Sequence, residues 1–475
     1  MNLRKIMTPA AQWSFIPAAV LLLVLTTTFT GAQPARGLDE SYKRGMERFN
    51  KGDLDGAIAE FDRAIEAYLN DKAVYGERQT PLPVRAEQSG VTTGYGDLAV
   101  QIPVAAALYQ NRGLARFRRG DVEAAIADFN EAIKIAPRNA GAYVSRGIAY
   151  HSIGGRNGLE LAVADYTRAI DLYPRYAEAW YNRGVARRDE GLLDEALADF
   201  DRALAINPEM ADALVNRSGV RYDKGDLRGA LDDCDRAINV NPRHHMAWNN
   251  RALIRYRQGD PAGALSDINR AIEINPQEAT PYLNRSTLKL EKDDVEGAIA
   301  DCDQALALEP QLAAAWNNRA LARHTKGDLK GAMDDYNRSL ELNPNSAPTL
   351  FNRGNAHFAG ENFEKALADF DQAVKLDPTM APAWNNRGNA SFVKGELEPA
   401  LADYNRAIEI DPRYSLAYAN RGLIKLLLGR DAEAERDFAE YKTLEGKIDA
   451  DLEKRISEAK RLREEIKQQK PPNKQ

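Results

Sequence analysis

Asparagine followed by arginine recurs in one register of this chain, with the Asn at 111, 182, 216, 250, 284, 318, 352, 386 and 420. From 182 onward each copy lies 34 residues after the last. Ser145-Arg146 fills the place between the first two copies, and Lys43-Arg44 stands 68 residues before the first, so the arginine occurs eleven times. A guanidinium can bind a carboxylate through two parallel hydrogen bonds. Each arginine has such a carboxylate sixteen residues on: Glu60, Asp128, Asp199, Asp233, Asp267, Asp301, Asp335, Asp369, Asp403 and Asp437, with Asp165 nineteen after Arg146. Unpaired charges between packed helices are costly. The matched set therefore predicts a structural ladder of Arg183–Asp199, Arg217–Asp233, Arg251–Asp267, Arg285–Asp301, Arg319–Asp335, Arg353–Asp369 and Arg387–Asp403, with the same pairs in the remaining units. Arginines free to bind an acidic ligand are the other reading.

The asparagines suggest binding instead. Asn is a mediocre helix former, so propensity does not account for its recurrence. Its amide carries an acceptor and two donors, which suit the N–H and C=O of an extended peptide. Asn111, Asn182, Asn216, Asn250, Asn284, Asn318, Asn352, Asn386 and Asn420 are the candidate peptide-binding residues. Amides bonded to neighbouring helices are the alternative. No chemistry beyond binding is indicated. The five histidines have no ligand-type spacing with Cys or acids, and no Gly-rich phosphate loop or nucleophile elbow occurs. No enzyme activity, cofactor or metal is expected. The net charge is −6, or −8 once residues 1–32 are set aside, which argues against a nucleic-acid partner.

The elements that carry these residues follow from the period. From Arg112 onward an aromatic or large apolar residue precedes each arginine by three, as at Trp180, Trp248, Trp316 and Trp384. Gly, often Gly-Asp, stands mid-unit, and Ala opens runs such as 196–204. Pro closes the units at 137, 174, 208, 242, 276, 310, 344, 378 and 412. This reads as helix–turn–helix, with Gly in the turn, Asp as N-cap and Pro stopping the second helix and suiting the first turn of the next. One such pair cannot bury its apolar face alone, but stacked pairs can. Cys234 and Cys302 lie two units apart, roughly 20 Å at about 10 Å per packed layer. That exceeds the span of a disulfide, so both are expected free and buried, and the tryptophans are expected in the core.

Trp180, Gly184, Ala196, Phe200 and Pro208, and again Trp384, Gly388, Ala400, Tyr404 and Pro412, resemble the tetratricopeptide repeat in register. The resemblance implies an all-α fold, a right-handed superhelical solenoid of about eleven helix–turn–helix repeats, whose first helices line a peptide- or protein-binding groove. In related arrays an asparagine ladder at this place contacts an extended peptide. There are two departures: the family's Leu before the Gly is Arg throughout, and its Tyr is usually basic, as at Arg116, Arg187, Arg221, Arg255, Lys289, Arg323 and Lys425. The implied function is a non-catalytic protein–protein interaction scaffold in the cell envelope, with a protein or peptide partner. Alternatives are a targeting or regulatory subunit of a separate enzyme, or a carboxylate-clamp chaperone adaptor. The clamp is weakly supported. Asn355 and Asn389 match one of its asparagines, but Tyr181, Val215, Leu283 and Asn317 stand where its basic residues are needed.

Outside the array, residues 1–32 read as a signal peptide with cleavage after Ala32, giving a periplasmic or extracellular protein. An uncleaved anchor through residues 15–31 is the alternative, although the apolar stretch is short of the roughly 20 residues of a span. The expected divisions are a first unit over 36–69, an irregular insertion over 70–102, ten units over 103–445, a charged capping helix over 446–468 and a disordered tail over 469–475. Three extra residues around 154–158 are expected to lengthen one inter-helix turn, and the 34-residue period is expected to stop at 445.

Overall fold

The computed structural model of the protein describes residues 38–75, 81–83 and 101–469. It divides into two compact units, with the boundary between Pro276 and Gln277. The N-terminal unit stacks six helix pairs: Leu38–Asn50 with Leu54–Tyr75, Val104–Arg119 with Val122–Ile135, Ala140–Ile153 with Gly155–Leu172, Ala177–Asp189 with Leu193–Ile206, Ala211–Asp223 with Leu227–Val240, and His245–Arg257 with Pro261–Ile274. The C-terminal unit stacks five: Ala279–Glu291 with Val295–Leu308, Ala313–Lys326 with Leu329–Leu342, Ala347–Ala359 with Phe363–Leu376, Ala381–Val393 with Leu397–Ile410, and Ser415–Leu427 with Asp431–Glu445. A last helix, Ala450–Gln469, follows alone.

The turn chemistry is local. Gly191, Gly225, Gly259 and Gly327 each take a positive φ between the two helices, where a Cβ is disfavoured. Asp226, Asp260, Asp294 and Asp328 then cap the second helix by accepting from the backbone N–H three residues on. Asp121 makes no such cap and pairs with Arg119 instead. The closing prolines sit elsewhere than expected. Pro208 lies in the connection between Ile206 and Ala211 rather than in the first turn of the next helix. These connections fix the tryptophans. The indole N–H of Trp180, Trp248, Trp316 and Trp384 donates to the carbonyl of the proline six residues earlier, at 2.9 to 3.0 Å.

Within a pair, close approach depends on small residues. In Leu193–Ile206, Ala196, Phe200 and Ala203 are fully buried against the first helix. A Cβ on Gly184 would come 2.8 Å from the Phe200 ring, so only Gly lets the helices meet there undistorted. The same Gly-to-ring contact recurs at Gly113 with Phe129, Gly354 with Phe370, Gly388 with Tyr404 and Gly422 with Phe438. Ser218 and Ser286 replace the glycine in two pairs, and there the ring is replaced by Cys234 and Cys302. Both cysteines are free and buried, and burial pushes each thiol up to about 12.

Four boundaries differ from the sequence reading. The second helix of the first pair runs to Tyr75 rather than 69. The ends of the insertion meet in a two-stranded antiparallel ladder, Pro81–Pro83 against Gln101–Pro103. The three extra residues near 155 lengthen a helix rather than a turn, since Gly155–Leu172 has 18 residues where Leu193–Ile206 has 14. Finally, the period does not end at 445. Leu452 and Arg455 stand 34 residues after Tyr418 and Arg421. Helix Ala450–Gln469 packs on the first helix Ser415–Leu427, burying Leu452 and Ala459. Leu462, on the same helix, is exposed. Residues 1–37 and 470–475 lie outside the described residues, as do the sequence readings placed on them.

Successive first helices of each unit touch one another, for example Ala211–Asp223 and His245–Arg257, or Ala347–Ala359 and Ala381–Val393. Among the described residues no two successive second helices reach the same degree of contact. The first helices thus line the tighter side of each stack. Among the described residues, no helix is long and apolar enough to cross a membrane.

Candidate binding surface on the first helices

The arginine of each pair points from the first helix across to the second. In ten pairs, from Arg112–Asp128 to Arg421–Asp437, Nε and Nη2 donate to the two oxygens of one carboxylate at 2.5 to 3.0 Å. In the first pair, Arg44 gives Glu60 a single bond of 3.1 Å. The carboxylates are buried. Where an aromatic residue stands three places earlier, its ring covers the guanidinium. The guanidinium carbons of Arg183, Arg251, Arg319 and Arg387 lie 4.5 to 4.7 Å from the indole of Trp180, Trp248, Trp316 and Trp384, a cation–π distance. The guanidinium of Arg251 is pushed up chiefly by its hydrogen bond to Asp267, and that of Arg319 by its bond to Asp335.

Two further partners were not read from the sequence. The remaining nitrogen, Nη1, reaches back to the second helix of the preceding pair. Arg217 meets Asp201 at 2.6 Å, Arg251 meets Asp235 at 2.8 Å, Arg319 meets Asp303 at 2.7 Å, and Arg353 and Arg421 meet Asn337 and Asn405. Each acceptor stands two residues after the paired carboxylate, a spacing that was visible but unused. One side chain therefore ties three helices and joins neighbouring pairs. The second partner explains the departure from the family's Tyr. Arg116, Arg187, Arg221, Arg255, Lys289, Arg323 and Lys425 each place a second cation 2.7 to 2.9 Å from the same carboxylate. Four pairs lack it: Arg48 turns to Asp53, His357 stands 3.9 Å from Asp369, and Tyr150 and Ser391 hold the place beside Asp165 and Asp403. In the last two burial outweighs the single arginine, and Asp165 and Asp403 are held above the usual carboxylate value.

The nine asparagines fall into two groups. Asn111, Asn182, Asn216, Asn250, Asn284, Asn318 and Asn352 are buried. Most of these amides bond along the stack. Asn111 donates to the Tyr42 hydroxyl, Asn216 to the Tyr181 hydroxyl, Asn250 to the Val215 carbonyl, Asn318 to Ser286 and Thr287, and Asn352 to Asn317. Asn182 bonds the Glu178 carbonyl of its own helix. These seven side chains are buried, and the amides of Asn111, Asn182, Asn216, Asn250, Asn318 and Asn352 donate to other residues of the first helices.

Asn386 and Asn420 are different, being only partly buried. Asn386 donates to Asn355 at 2.7 Å, and Asn420 donates to Asn385 at 3.0 Å and Asn389 at 3.1 Å. Asn355 and Asn389 are also partly exposed. Asn386, Asn389 and Val393 follow at i, i+3 and i+7, one face of a helix. Phe392 and Val393 are 38% and 49% exposed. Amides beside bare apolar side chains thus share the first-helix side of the C-terminal unit. Among the described residues no group of three or more His, Cys, Asp or Glu side chains is arranged to hold a metal.

The tetratricopeptide repeat is matched at residues 351–415, 223–289, 177–210 and 313–346, and the TPR repeat at 113–154. No curated protein matches the chain. Among solved structures, the APC/C hetero-tetramer Cut9–Hcn1 is similar over 90% of this chain and 90% of that chain, with a TM-score of 0.53 at 13% identity. A tetratricopeptide repeat protein from Parabacteroides merdae ATCC 43184 is 20% identical, covering 61% of this chain and 99% of that chain with a TM-score of 0.46. Yeast Tom70 is 15% identical over 92% and 97%, with a TM-score of 0.39. The eleven paired helices, their Gly and aromatic contacts and these matches agree: the chain belongs to the tetratricopeptide repeat family, whose fold is that of a protein–protein interaction scaffold.

Proposed function

We propose that this protein is a non-catalytic scaffold that holds an extended segment of a partner protein along the first helices of its C-terminal unit. The observation that carries this reading is the partly exposed amide group Asn355, Asn386, Asn389 and Asn420 beside exposed Phe392 and Val393. Amides can satisfy the peptide backbone of the segment, while the apolar side chains take part of its own. Residues 1–32 carry export in this reading, and the mature chain works in the cell envelope. A photo-crosslinker at Val393 should capture the partner, and one at Leu376, exposed on a second helix, should not. Asn386→Ala with Asn389→Ala should reduce capture at least fivefold while the circular dichroism spectrum stays unchanged. Equal capture from both positions, or undiminished capture by the double variant, would sink the proposal. Mass spectrometry of the mature N-terminus tests the export reading separately, since an intact residue 1 in the membrane fraction would replace secretion by anchoring.

A further inference from the structure

Seven pairs set a second cation on the buried carboxylate, four residues after the ladder arginine. His357 stands there in an eighth, 3.9 Å from Asp369, and Tyr150 in a ninth. In the first pair Arg48 turns to Asp53. Only at Ser391 is the place held by a side chain too short to fill it. A cavity of about 470 Å³ opens at that point, within the roughly 300–1,000 Å³ of ligand pockets. Its wall includes Asp403, Asp371 and Glu364, with Leu367, Ala402 and Pro399 as its less polar part. The one guanidinium in the wall, Arg387, is fully committed: Nε and Nη2 donate to Asp403 and Nη1 to Asp371. Lys375 pairs with Asp371 from outside. Three carboxylates thus face the space against one wall cation.

The other pairs show what such a space accepts. Arg221, Lys289 and Arg323 bind the carboxylate and also donate to the carbonyl of the residue eight places on, Gly229, Gly297 and Gly331. Eight places after Ser391 is Pro399, in the cavity wall. Asp403 is 4% exposed and held high by burial, as a buried carboxylate short of a cation should be.

We infer that this cavity is a binding site for an alkyl guanidinium or ammonium group supplied from outside the chain, which takes on Asp403 the place that the chain's own Arg or Lys takes in seven other pairs. The cavity lies between the second helices Phe363–Leu376 and Leu397–Ile410, with Arg387 and Ser391 of the first helix Ala381–Val393 in its wall. An arginine or lysine side chain of a partner protein and a free alkyl amine share this chemistry.

The test uses the full chain with labelled alanine methyls, reading Ala368 and Ala402 in the cavity wall. The probes are N-acetyl-arginine amide, N-acetyl-lysine amide and 1,4-diaminobutane, with N-acetyl-norvaline amide as the neutral control. Saturable shifts with the cations, at least tenfold tighter than with the control, are expected. Response to the amino-acid amides assigns a protein side chain, and response to the diamine alone assigns a free amine. Ser391→Arg supplies the missing cation in cis and should abolish the shifts, whereas Ser391→Ala should keep them. Shifts that persist in Ser391→Arg, or that are equal for the neutral control, overturn the inference. Should Ser391→Arg fail to fold, Ser391→Lys serves as the blocking variant.

Discussion

At the scale of single residues, the ladder carboxylate is the junction of the array. Asp267 takes two bonds from Arg251 and a third from Arg255 at 2.9 Å. Asp267→Ala leaves two cations facing a buried space, and breaking a buried pair in this way costs about 3–5 kcal/mol. Urea unfolding should show a loss of that size. A double replacement, Arg251→Met with Asp267→Leu, should recover most of it, because the penalty comes from the uncompensated charge. An unchanged midpoint for Asp267→Ala would show that the pair carries no structure. Asp403 gives the complementary case. Its folded value is raised by burial, so its ionisation opposes folding once the pH exceeds its unfolded value of about 3.9. Ser391→Arg supplies a cation and lowers the folded value. The resulting gain, about 1 kcal/mol for a partly exposed pair, should be present at pH 7 and lost as the pH falls from Asp403's raised folded value through its lowered value in the variant. Melting of both proteins at pH 7 and pH 3 checks the sign; a gain that persists in acid would assign it to packing.

At the scale of helices, the two faces of a pair are coupled through one contact. Gly184 lies against Phe200, while Ser218 stands opposite Cys234 and Ser286 opposite Cys302. Gly184→Ser should push on the ring and cost about 1–3 kcal/mol by overpacking. Phe200→Cys alone should leave a cavity and cost about 3 kcal/mol or more. Together they recreate the natural Ser–Cys combination, so the double variant should be more stable than the sum of the two losses predicts, by about 1–3 kcal/mol. Additive losses would mean that the chain's own Ser–Cys pairs have another cause. The coupling also shows what was legible. The 34-residue beat fixed the helix pairs, because Gly, Ala and ring must recur in phase for helices to approach. It placed Cys234 at the ring site but did not say why, since the reason is Ser218 on the facing helix. The three residues added near Gly155 were read as turn because glycine favours turns; the helix Gly155–Leu172 absorbed them at its exposed start.

At the scale of each whole stack, what the sequence concealed is the distance between successive first helices. That distance decides whether an amide such as Asn318 faces a ligand or Ser286 and Thr287, and no spacing along the chain encodes it. The end of the array was concealed for another reason. Lys454 and Ile456 replace the Asn and Gly that mark a unit, while Leu452 and Arg455 keep its phase. Pro471 stands where the carboxylate for Arg455 would fall, and Arg455 donates back to the side-chain amide oxygen of Asn420 at 2.8 Å. Arg463 likewise bonds the Leu426 carbonyl and Asp431. The final helix thus keeps part of the repeat's register and covers Ala419, Leu423 and Leu426 with a polar outer surface. In a stack stabilised by nearest-neighbour contacts, a lost cap weakens the adjacent pair most. Deleting residues 447–475 should therefore speed amide hydrogen exchange strongly in Ser415–Glu445, less in Ala381–Ile410, and little in pairs further along. Arg455→Ala in the full chain should give a smaller change confined to Ser415–Leu427, since it removes the Asn420 bond and leaves the buried Leu452 in place. Uniform acceleration along the stack on deletion would mean that the C-terminal unit melts as one block, and unchanged exchange in Ser415–Glu445 would show that the last helix caps nothing.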